Sequence, residues 1–320
     1  MSDINNNGNG RRTADCESEL CETIKYLNSA EAEKSVRLDP YWPKWNSPWW
    51  HMTLLYEMGL AEMIPQNIAD IMIDAVNSHY LHYFPFTEAD APDGTTFLNI
   101  MCHCALGTIY KITHARGMDP DSAIPWAREW FLKYQLPDGG LNCDEAVYTK
   151  PAPKSSIVST LPPLEAVLYC TSHKFSGAEL EFLDRGAAYI MNHKLFKSSA
   201  GDIINPDWLK LCFPRFYEYD ILRGLSFLAR WSSVRNIAIE RESIEEGVAH
   251  IKKHLAAAGE FIIPQRLSHE GVNTSIILED KSLKKEKAST FPLLASAGSL
   301  SKASPYLTNE WNEAKRILNL

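Results

Sequence analysis

The stretch FLKYQLPDGGLN, residues 131–142, is the part of the sequence that decides the fold. It joins the end of an aromatic-rich helical segment to a Pro-Asp-Gly-Gly turn. Gly139 and Gly140 allow backbone conformations with positive φ, and Asp138 is suited to cap the turn. The amide of Gln135 can then bond backbone groups at neighbouring helix ends. We therefore predict that this turn joins two closely packed helices.

The remainder of the chain from Asp39 onward carries the same helical signal. Apolar residues recur at three- and four-residue steps, and Pro and Gly fall between the resulting blocks. No block shows convincing strand alternation, so the sequence predicts an all-α fold. The predicted helices span residues 48–58, 66–81, 97–115, 124–135, 155–169, 178–193, 216–231, 243–257 and 308–320.

A sequence period of 58 residues relates several of these blocks. Leu132 aligns with Ile190, and Leu164 aligns with Leu222, each pair 58 positions apart. A weaker third copy places Ile251 at 61 positions beyond Ile190. One helix of each unit is amphipathic and the other is more apolar, which predicts outer helices around an inner ring.

The turn at residues 131–142 resembles the repeat of squalene/hopene cyclases and the comparable turn of protein prenyltransferase β subunits. As a repeat pattern, the resemblance covers roughly residues 39–260. It implies the terpenoid cyclase/protein prenyltransferase α/α-toroid superfamily, whose fold is a two-layer barrel of helix pairs. Because about five pairs are present where a closed ring usually takes about six, we expect a toroid that is either closed or open on one side.

The signature acids of that superfamily are missing from this chain. Neither the Asp-x-Asp-Asp string of squalene-hopene-type cyclases nor the Asp-Asp-x-x-Asp string of ionising terpene synthases occurs. The zinc ligands of protein prenyltransferases find no residue-by-residue match. Cys102-His103-Cys104 resembles the Cys-His-Gly string of lanthionine-synthetase cyclases, which are zinc-dependent toroids, but lacks its glycine.

The composition of the chain argues against several classes of partner and location. A formal net charge of -8 argues against a nucleic-acid partner, and no apolar stretch is long enough for a transmembrane segment. The first thirty residues lack the apolar core of a signal peptide, so we expect a cytoplasmic protein. Residues 1–30 are predicted to form a disordered tail with one short helix around Glu17 to Asn28. Residues 31–320 are predicted to form a single domain with a polar insertion at about 265–288, which is either a loop or a lid. No nucleotide-cofactor motif is present.

Seven cysteines, an odd number, indicate thiols or metal ligands rather than a disulfide framework. Adjacent helical residues point about 100° apart, so at most one or two of Cys102, His103 and Cys104 are expected to face the centre. His103 together with Cys143 and Asp144 would offer zinc three ligands and one open position. Alternatively, Cys143 is a nucleophile activated by a nearby cation, or an inert thiol.

Cationic and hydroxyl side chains precede two of the predicted inner helices. Lys154, Ser155 and Ser159 lie at the start of one, and Arg215 occupies the equivalent place one repeat later. Helix N-termini and arginine favour oxyanions, so these residues predict a site for the anionic group of a substrate. The alternatives are helix capping and structural ion pairs.

Aromatic residues complete the predicted cavity, whose wall would contain Trp49, His51, Phe213, Tyr217 and Tyr219. Tyr217 and Tyr219 could supply a general acid or a cation–π face, although core packing explains them equally well. The leading hypothesis is an enzyme of cyclisation or group transfer, acting on a small or isoprenoid-like anionic substrate. The alternatives are a non-catalytic toroid that binds a ligand or partner, and zinc-dependent thiol chemistry of the lanthionine-cyclase type.

Overall fold

The computed structural model describes residues 17–255, 261–278 and 282–320, and this part of the chain is predominantly helical. The all-α class is confirmed. The helices are α1 Glu17–Leu27, α2 Ala30–Leu38, α3 Pro48–Glu57, α4 Gln66–His79, α5 His103–Ala115, α6 Pro120–Ala123, α7 Ala127–Lys133, α8 Ile157–Cys170, α9 Gly177–Asn192, α10 Ile221–Arg235, α11 Glu245–Lys253, α12 Pro292–Ala297 and α13 Pro305–Leu318. The strands are β1 Asn273–Ile277 and β2 Leu283–Lys287.

Five helices form a row in which each contacts the next: α3, α5, α8, α10 and α13. A second layer contacts this row, with α7 against α5, α9 against α8 and α10, and α11 against α10. The helices of the row are rich in buried side chains, and α5 and α8 are buried over most of their lengths. The predicted pairing of a more apolar with an amphipathic helix fits α8 and α9, whereas α13 of the row is itself amphipathic, with Leu307, Thr308, Trp311 and Ala314 as its buried residues.

Short polar side chains set the starts of several helices. Ser176 and Glu179 form a capping box at α9, Asp220 accepts a hydrogen bond from the Arg223 amide at α10, and Ser304 caps α13. The α10 helix ends where Asn236 takes a left-handed conformation with φ of 52°. These caps place the N-termini of the central helices in fixed positions.

The turn after α7 behaves largely as its sequence predicts. The Gln135 amide donates 2.8 Å hydrogen bonds to the carbonyls of Gly139 and Phe182, which ties the turn to α9. Gly139 has φ of 96° and lies against the backbone of Arg185. Gly140 lacks a positive φ; glycine is needed there because a Cβ would lie 2.5 Å from the Ser155 Cβ.

Two segments that the sequence set apart from the helical domain are ordered in the structure. The short helix predicted around Glu17 to Asn28 is confirmed as α1, but its Leu27 is 1% exposed, so α1 packs on the domain; residues 1–16 lie outside the described residues. The polar insertion contains an antiparallel hairpin of β1 and β2, although no strand was predicted there. The sequence of β2, LKKEK, has no alternation of apolar and polar residues, because the strand faces solvent on most of its length.

The hairpin also takes part in the domain. The buried hydroxyl of Thr274 accepts a hydrogen bond from the Lys44 amide at 2.6 Å, and the carbonyl of Ser289 accepts one from the Trp45 amide.

Among the described residues, no helix is both long enough and apolar enough to cross a membrane.

Candidate metal centre and its pocket

Three cysteine side chains converge between α5 and the loop that precedes α8. The Sγ atom of Cys104 lies 3.1 Å from that of Cys102 and 3.8 Å from that of Cys143, and all three lie within 4.8 Å of one another. A tetrahedral zinc ion with Zn–S bonds of about 2.3 Å separates its sulfur ligands by about 3.8 Å. The three sulfurs are therefore spaced for a metal ion after only small shifts.

The start of α5 explains how Cys102 and Cys104 face the same point. The predicted helix began at residue 97, but Phe97–Asn99 forms a separate 3-10 turn and α5 begins at His103. Cys102 is the N-cap residue, with extended backbone angles of φ −86° and ψ 148°. The 100° rule for adjacent helical residues therefore does not apply to Cys102. Cys102 and Cys104 face the same point, which agrees with the prediction that at most one or two of the trio do so.

Cys143 reaches the same point from a loop that is fastened to α8. Its backbone amide donates to the Ser159 hydroxyl at 3.1 Å, and the Leu141 amide donates to the Thr160 hydroxyl at 2.8 Å. Ser159 and Thr160 are both buried. Ser159, predicted to bind substrate, thus holds the loop that carries Cys143.

The electrostatics of the three thiols are asymmetric. Hydrogen bonds from Cys102 and Cys104 hold the pKa of the Cys143 thiol well below its ordinary value, with further help from His103 and the Ser159 hydroxyl. The same hydrogen bonds, with burial, raise the pKa of Cys104. Of the three thiols, that of Cys143 therefore loses its proton most readily. A bound cation would favour deprotonation of all three sulfurs.

His103 lies beside the cysteines but is oriented away from them. Its Nδ1 accepts a 2.7 Å hydrogen bond from the Trp130 indole, and its Nε2 donates to the Tyr148 hydroxyl at 3.0 Å. The ring is fully buried, and burial lowers its pKa to about 4. With both nitrogens engaged, this neutral imidazole positions Trp130 and Tyr148 and does not take the ligand role predicted for it.

Asp144 is also outside the group. Its side chain is exposed and caps the short turn Glu145–Thr149 through a 3.1 Å hydrogen bond from the Ala146 amide. Of the predicted trio of metal ligands, only Cys143 belongs to the cluster, and its partners are the two cysteines of α5. We call Cys102, Cys104 and Cys143 the three-cysteine cluster.

A cavity of about 290 Å³ adjoins the three-cysteine cluster, and Cys102 and Cys143 form part of its wall. Most of the wall is aromatic or aliphatic. The other lining residues are Tyr41, Trp42, Tyr80, Phe84, Phe97, Leu98, Ile100, Met101, Ala105 and Glu145. Glu145 is the one acidic side chain among these lining residues.

A lysine lies close to this cavity in an aromatic cage. Lys44 Nζ donates to the Tyr217 hydroxyl at 3.0 Å and lies 5.3 to 5.4 Å from the ring centres of Trp42 and Trp45. Burial lowers the pKa of Lys44, and the nearby thiols of Cys104 and Cys102 act in the opposite direction. In the described part of the chain no carboxylate pairs with this ammonium group, so its charge faces rings and sulfurs.

The two cations predicted to form one anion site do not share a cavity. Lys154 is exposed and lines neither of the two described cavities, and Ser155 bonds the Asp138 carboxylate. Arg215 is 9% exposed and grips Asp220 through two hydrogen bonds of 2.8 and 2.9 Å. It also donates to Glu310 at 2.6 Å. The two positions are not equivalent in the structure, because Lys154 precedes the start of α8 by three residues and Arg215 precedes the start of α10 by six. Arg215 serves an internal ion pair.

The predicted aromatic wall is distributed over different parts of the core. Trp49 and His51 are buried, and the His51 ring stacks on Phe291 with centres 3.6 Å apart. Tyr219 is buried and donates to the Leu195 carbonyl, whereas Tyr217 contacts Lys44. Only Phe213, stacked on Tyr306, lines the larger cavity described below. None of the five lines the cavity beside the cysteines.

Comparisons with known protein families, curated proteins and solved structures found no significant match to this chain.

Proposed function

We propose that this chain is a zinc-dependent enzyme that activates a thiol for reaction with an apolar partner in the cavity beside the three-cysteine cluster. The observation that carries the proposal is the convergence of Cys102, Cys104 and Cys143 on the wall of an aromatic-lined pocket. Thiolates are soft ligands that select zinc over magnesium or calcium.

The number of ligands favours a catalytic rather than a structural ion. Structural zinc sites have four protein ligands, whereas catalytic sites have three and keep one position open. Within the described residues the cluster consists of three cysteines with no fourth Cys, His, Asp or Glu. The fourth position would be available to a molecule in the adjoining cavity.

The negative charge of three thiolates would set the reactivity of a bound zinc ion. Their combined charge exceeds that of Zn²⁺ by one, so the ion is electron-rich and a weak Lewis acid toward water. An ion held by these three cysteines would lower the pKa of a substrate thiol placed at its open position, which would make that thiol a better nucleophile. Lys44, with no carboxylate partner among the described residues, would offset the negative charge of the complex.

The proposed step is the transfer of a carbon group to that sulfur. The thiol proton passes to a base, for which Glu145 on the cavity wall is the candidate. The sulfur then attacks carbon, the S–C bond forms, and the leaving group departs with the bonding electron pair. The aromatic and aliphatic walls suit a hydrophobic, isoprenoid-like carbon chain.

The scaffold we propose is an α/α toroid, as the resemblance of residues 131–142 implies. The row of α3, α5, α8, α10 and α13 with outer helices against it supports this arrangement. The superfamily activities that need aspartate-rich motifs are not part of the proposal. A toroid that binds a partner without catalysis is the competing hypothesis, and the presence or absence of metal separates the two.

Elemental mass spectrometry on protein purified without chelator tests the proposal. We expect about one zinc per chain in the wild type, and less than a tenth of that in Cys104→Ser and Cys143→Ser. Cys170→Ala removes a buried thiol outside the cluster and should retain the metal. Metal-free wild type, or a disulfide within the cluster after purification under reducing conditions, would rule the proposal out.

A further inference from the structure

A second and larger cavity, of about 710 Å³, lies among the helices of the central row. Each of α3, α5, α8, α10 and α13 contributes to its wall, and the cavity opens to solvent beside Arg230 and Glu313, whose side chains are 50% and 44% exposed. Its volume falls in the range of small-molecule sites. We propose that this cavity binds an uncharged ligand bearing several hydroxyl groups, such as a sugar or cyclic polyol, independently of the three-cysteine cluster.

The faces turned toward this cavity are polar at helical spacing. On α10, Arg223, Ser226 and Arg230 lie three and four residues apart, and on α8 Glu165 and Tyr169 lie four apart. Core-facing stripes of helices are normally apolar, because buried polar groups cost free energy unless they are hydrogen-bonded. The polar groups that line this cavity therefore need hydrogen-bonding or ionic partners.

The charged groups of the cavity find those partners in one another. Glu165 accepts hydrogen bonds from both Lys111 and Arg223, and these two cations overcome the effect of burial and lower its pKa to about 2. Arg215 is held by Asp220 and Glu310. The ionic groups are thus neutralised internally, which leaves little reason for a charged ligand to enter.

The groups that remain are mostly hydroxyls. Ser226 Oγ is buried and has no hydrogen-bond partner among the described residues. The hydroxyl-bearing side chains of Tyr56 and Tyr169 line the same cavity. An unsatisfied buried hydroxyl is costly, so a ligand that supplies a hydrogen-bonding group would gain from Ser226, and the two tyrosines offer it further hydroxyl groups.

Glu57 adds a carboxyl group of the same character. Its two oxygens accept hydrogen bonds from the amides of Arg215 and Phe216, and no cationic side chain in the described residues pairs with it. Burial raises the pKa of Glu57, whereas the backbone hydrogen bonds and the charges of Arg223 and Arg215 act in the opposite direction. The rings of Tyr56, Tyr169 and Tyr306 add aromatic faces to the wall. Arg230 is paired with Glu313 at 3.0 Å, so each cation that lines the cavity has a carboxylate partner, which favours an uncharged polyol over an ion.

Binding can be tested by saturation-transfer NMR and calorimetry with D-glucose, D-mannitol and myo-inositol on the full chain. We expect saturable binding of at least one of them, about tenfold weaker in Ser226→Ala and in Tyr169→Phe, which remove one hydroxyl each. Ser155→Ala, outside both cavities, is the control. Because metal is not part of this site, binding should be unchanged in Cys143→Ser.

Two results would overturn the inference. One is the absence of saturable binding by all three polyols to a correctly folded chain. The other is preferential binding of inorganic phosphate or n-butylamine, because these probes carry charges that the cavity has already neutralised. Loss of polyol binding in Cys143→Ser would likewise refute the independence of the two sites.

Discussion

Gly107 of α5 lies directly against the backbone of Pro162 in α8. A Cβ atom at residue 107 would lie 2.5 Å from the Pro162 carbonyl carbon and 2.7 Å from the Pro163 nitrogen. The two helices can approach this closely only because one presents a glycine where the other presents its backbone. This contact sets the distance between the helices that bring Cys104 and Ser159 to the three-cysteine cluster.

Gly107→Ala should therefore destabilise the protein, although alanine is the better helix former. Overpacking against rigid backbone costs about 1–3 kcal/mol and exceeds the gain in helix propensity. Urea unfolding would measure the difference. Gly177→Ala is the matched control, since a Cβ at that α9 residue meets nothing within 4 Å. Equal stability of Gly107→Ala and wild type would contradict the close packing of α5 on α8.

Arg215 should matter for folding rather than for binding an anionic substrate. Arg215→Met leaves Asp220, which is 0% exposed, without its cation, and we expect a loss of about 3–5 kcal/mol in the free energy of unfolding. Lys154→Met changes an exposed side chain and should stay within about 0.5 kcal/mol of wild type. A partial recovery in the double variant Arg215→Met, Asp220→Asn would attribute the loss to the unpaired carboxylate. A stable Arg215→Met protein would instead favour the anion site expected from the sequence.

His51 should make the protein less stable in acid. Burial lowers its pKa to about 3 from an ordinary value of 6.5, so between these values the unfolded chain binds a proton that the folded chain does not. Its contribution to the free energy of unfolding therefore falls by about 1.4 kcal/mol for each pH unit below 6.5. His51→Phe keeps a ring against Phe291 and should reduce the pH slope by that amount in denaturant titrations of chelator-treated, reduced protein. His114→Ala, on the exposed face of α5, controls for loss of a histidine, and an unchanged slope in His51→Phe would refute the assignment.

Ser159 should tune the affinity of the proposed metal site without being a ligand. It accepts the Cys143 amide hydrogen bond, and its hydroxyl helps to lower the pKa of the Cys143 thiol, as residues around metal ligands commonly do. Ser159→Ala should weaken zinc binding by about 10- to 100-fold in competition with a chromophoric chelator. Ser155→Ala, four residues away and bonded to Asp138, should bind zinc as the wild type does. Equal affinities for the two variants would remove Ser159 from the site.

The sequence predicted the helices well because their signals are local. All nine predicted helices overlap observed helices over more than half of their lengths, and the helix predicted at residues 97–115 begins six residues too early. The physical reason lies at Cys102, where an extended N-cap follows the separate turn at Phe97–Asn99. The role of Gln135, by contrast, was predictable, because it bonds the Pro-Asp-Gly-Gly turn that directly follows it in the sequence.

The candidate site was less accessible to sequence reasoning because its parts are separated along the chain. Cys143 was identified from its place after the Gly-Gly turn, but its partners depend on the N-cap geometry of α5 and on Ser159 in α8. The Cys102-x-Cys104 spacing pointed to this pair, but a regular helix through residues 97–115 would place the two side chains on different faces. Neither Lys44 nor the role of Glu145 as a cavity residue has a local signal, since tertiary packing alone brings them to the pocket.

The separation of Cys104 and Cys143 by 39 positions has a consequence for how the protein would be made. A ribosome-bound chain that ends before residue 143 carries only two of the three sulfurs, and they gain the third only after the loop has docked on α8. Under the proposed function, the ion would be the last component to join a newly made molecule.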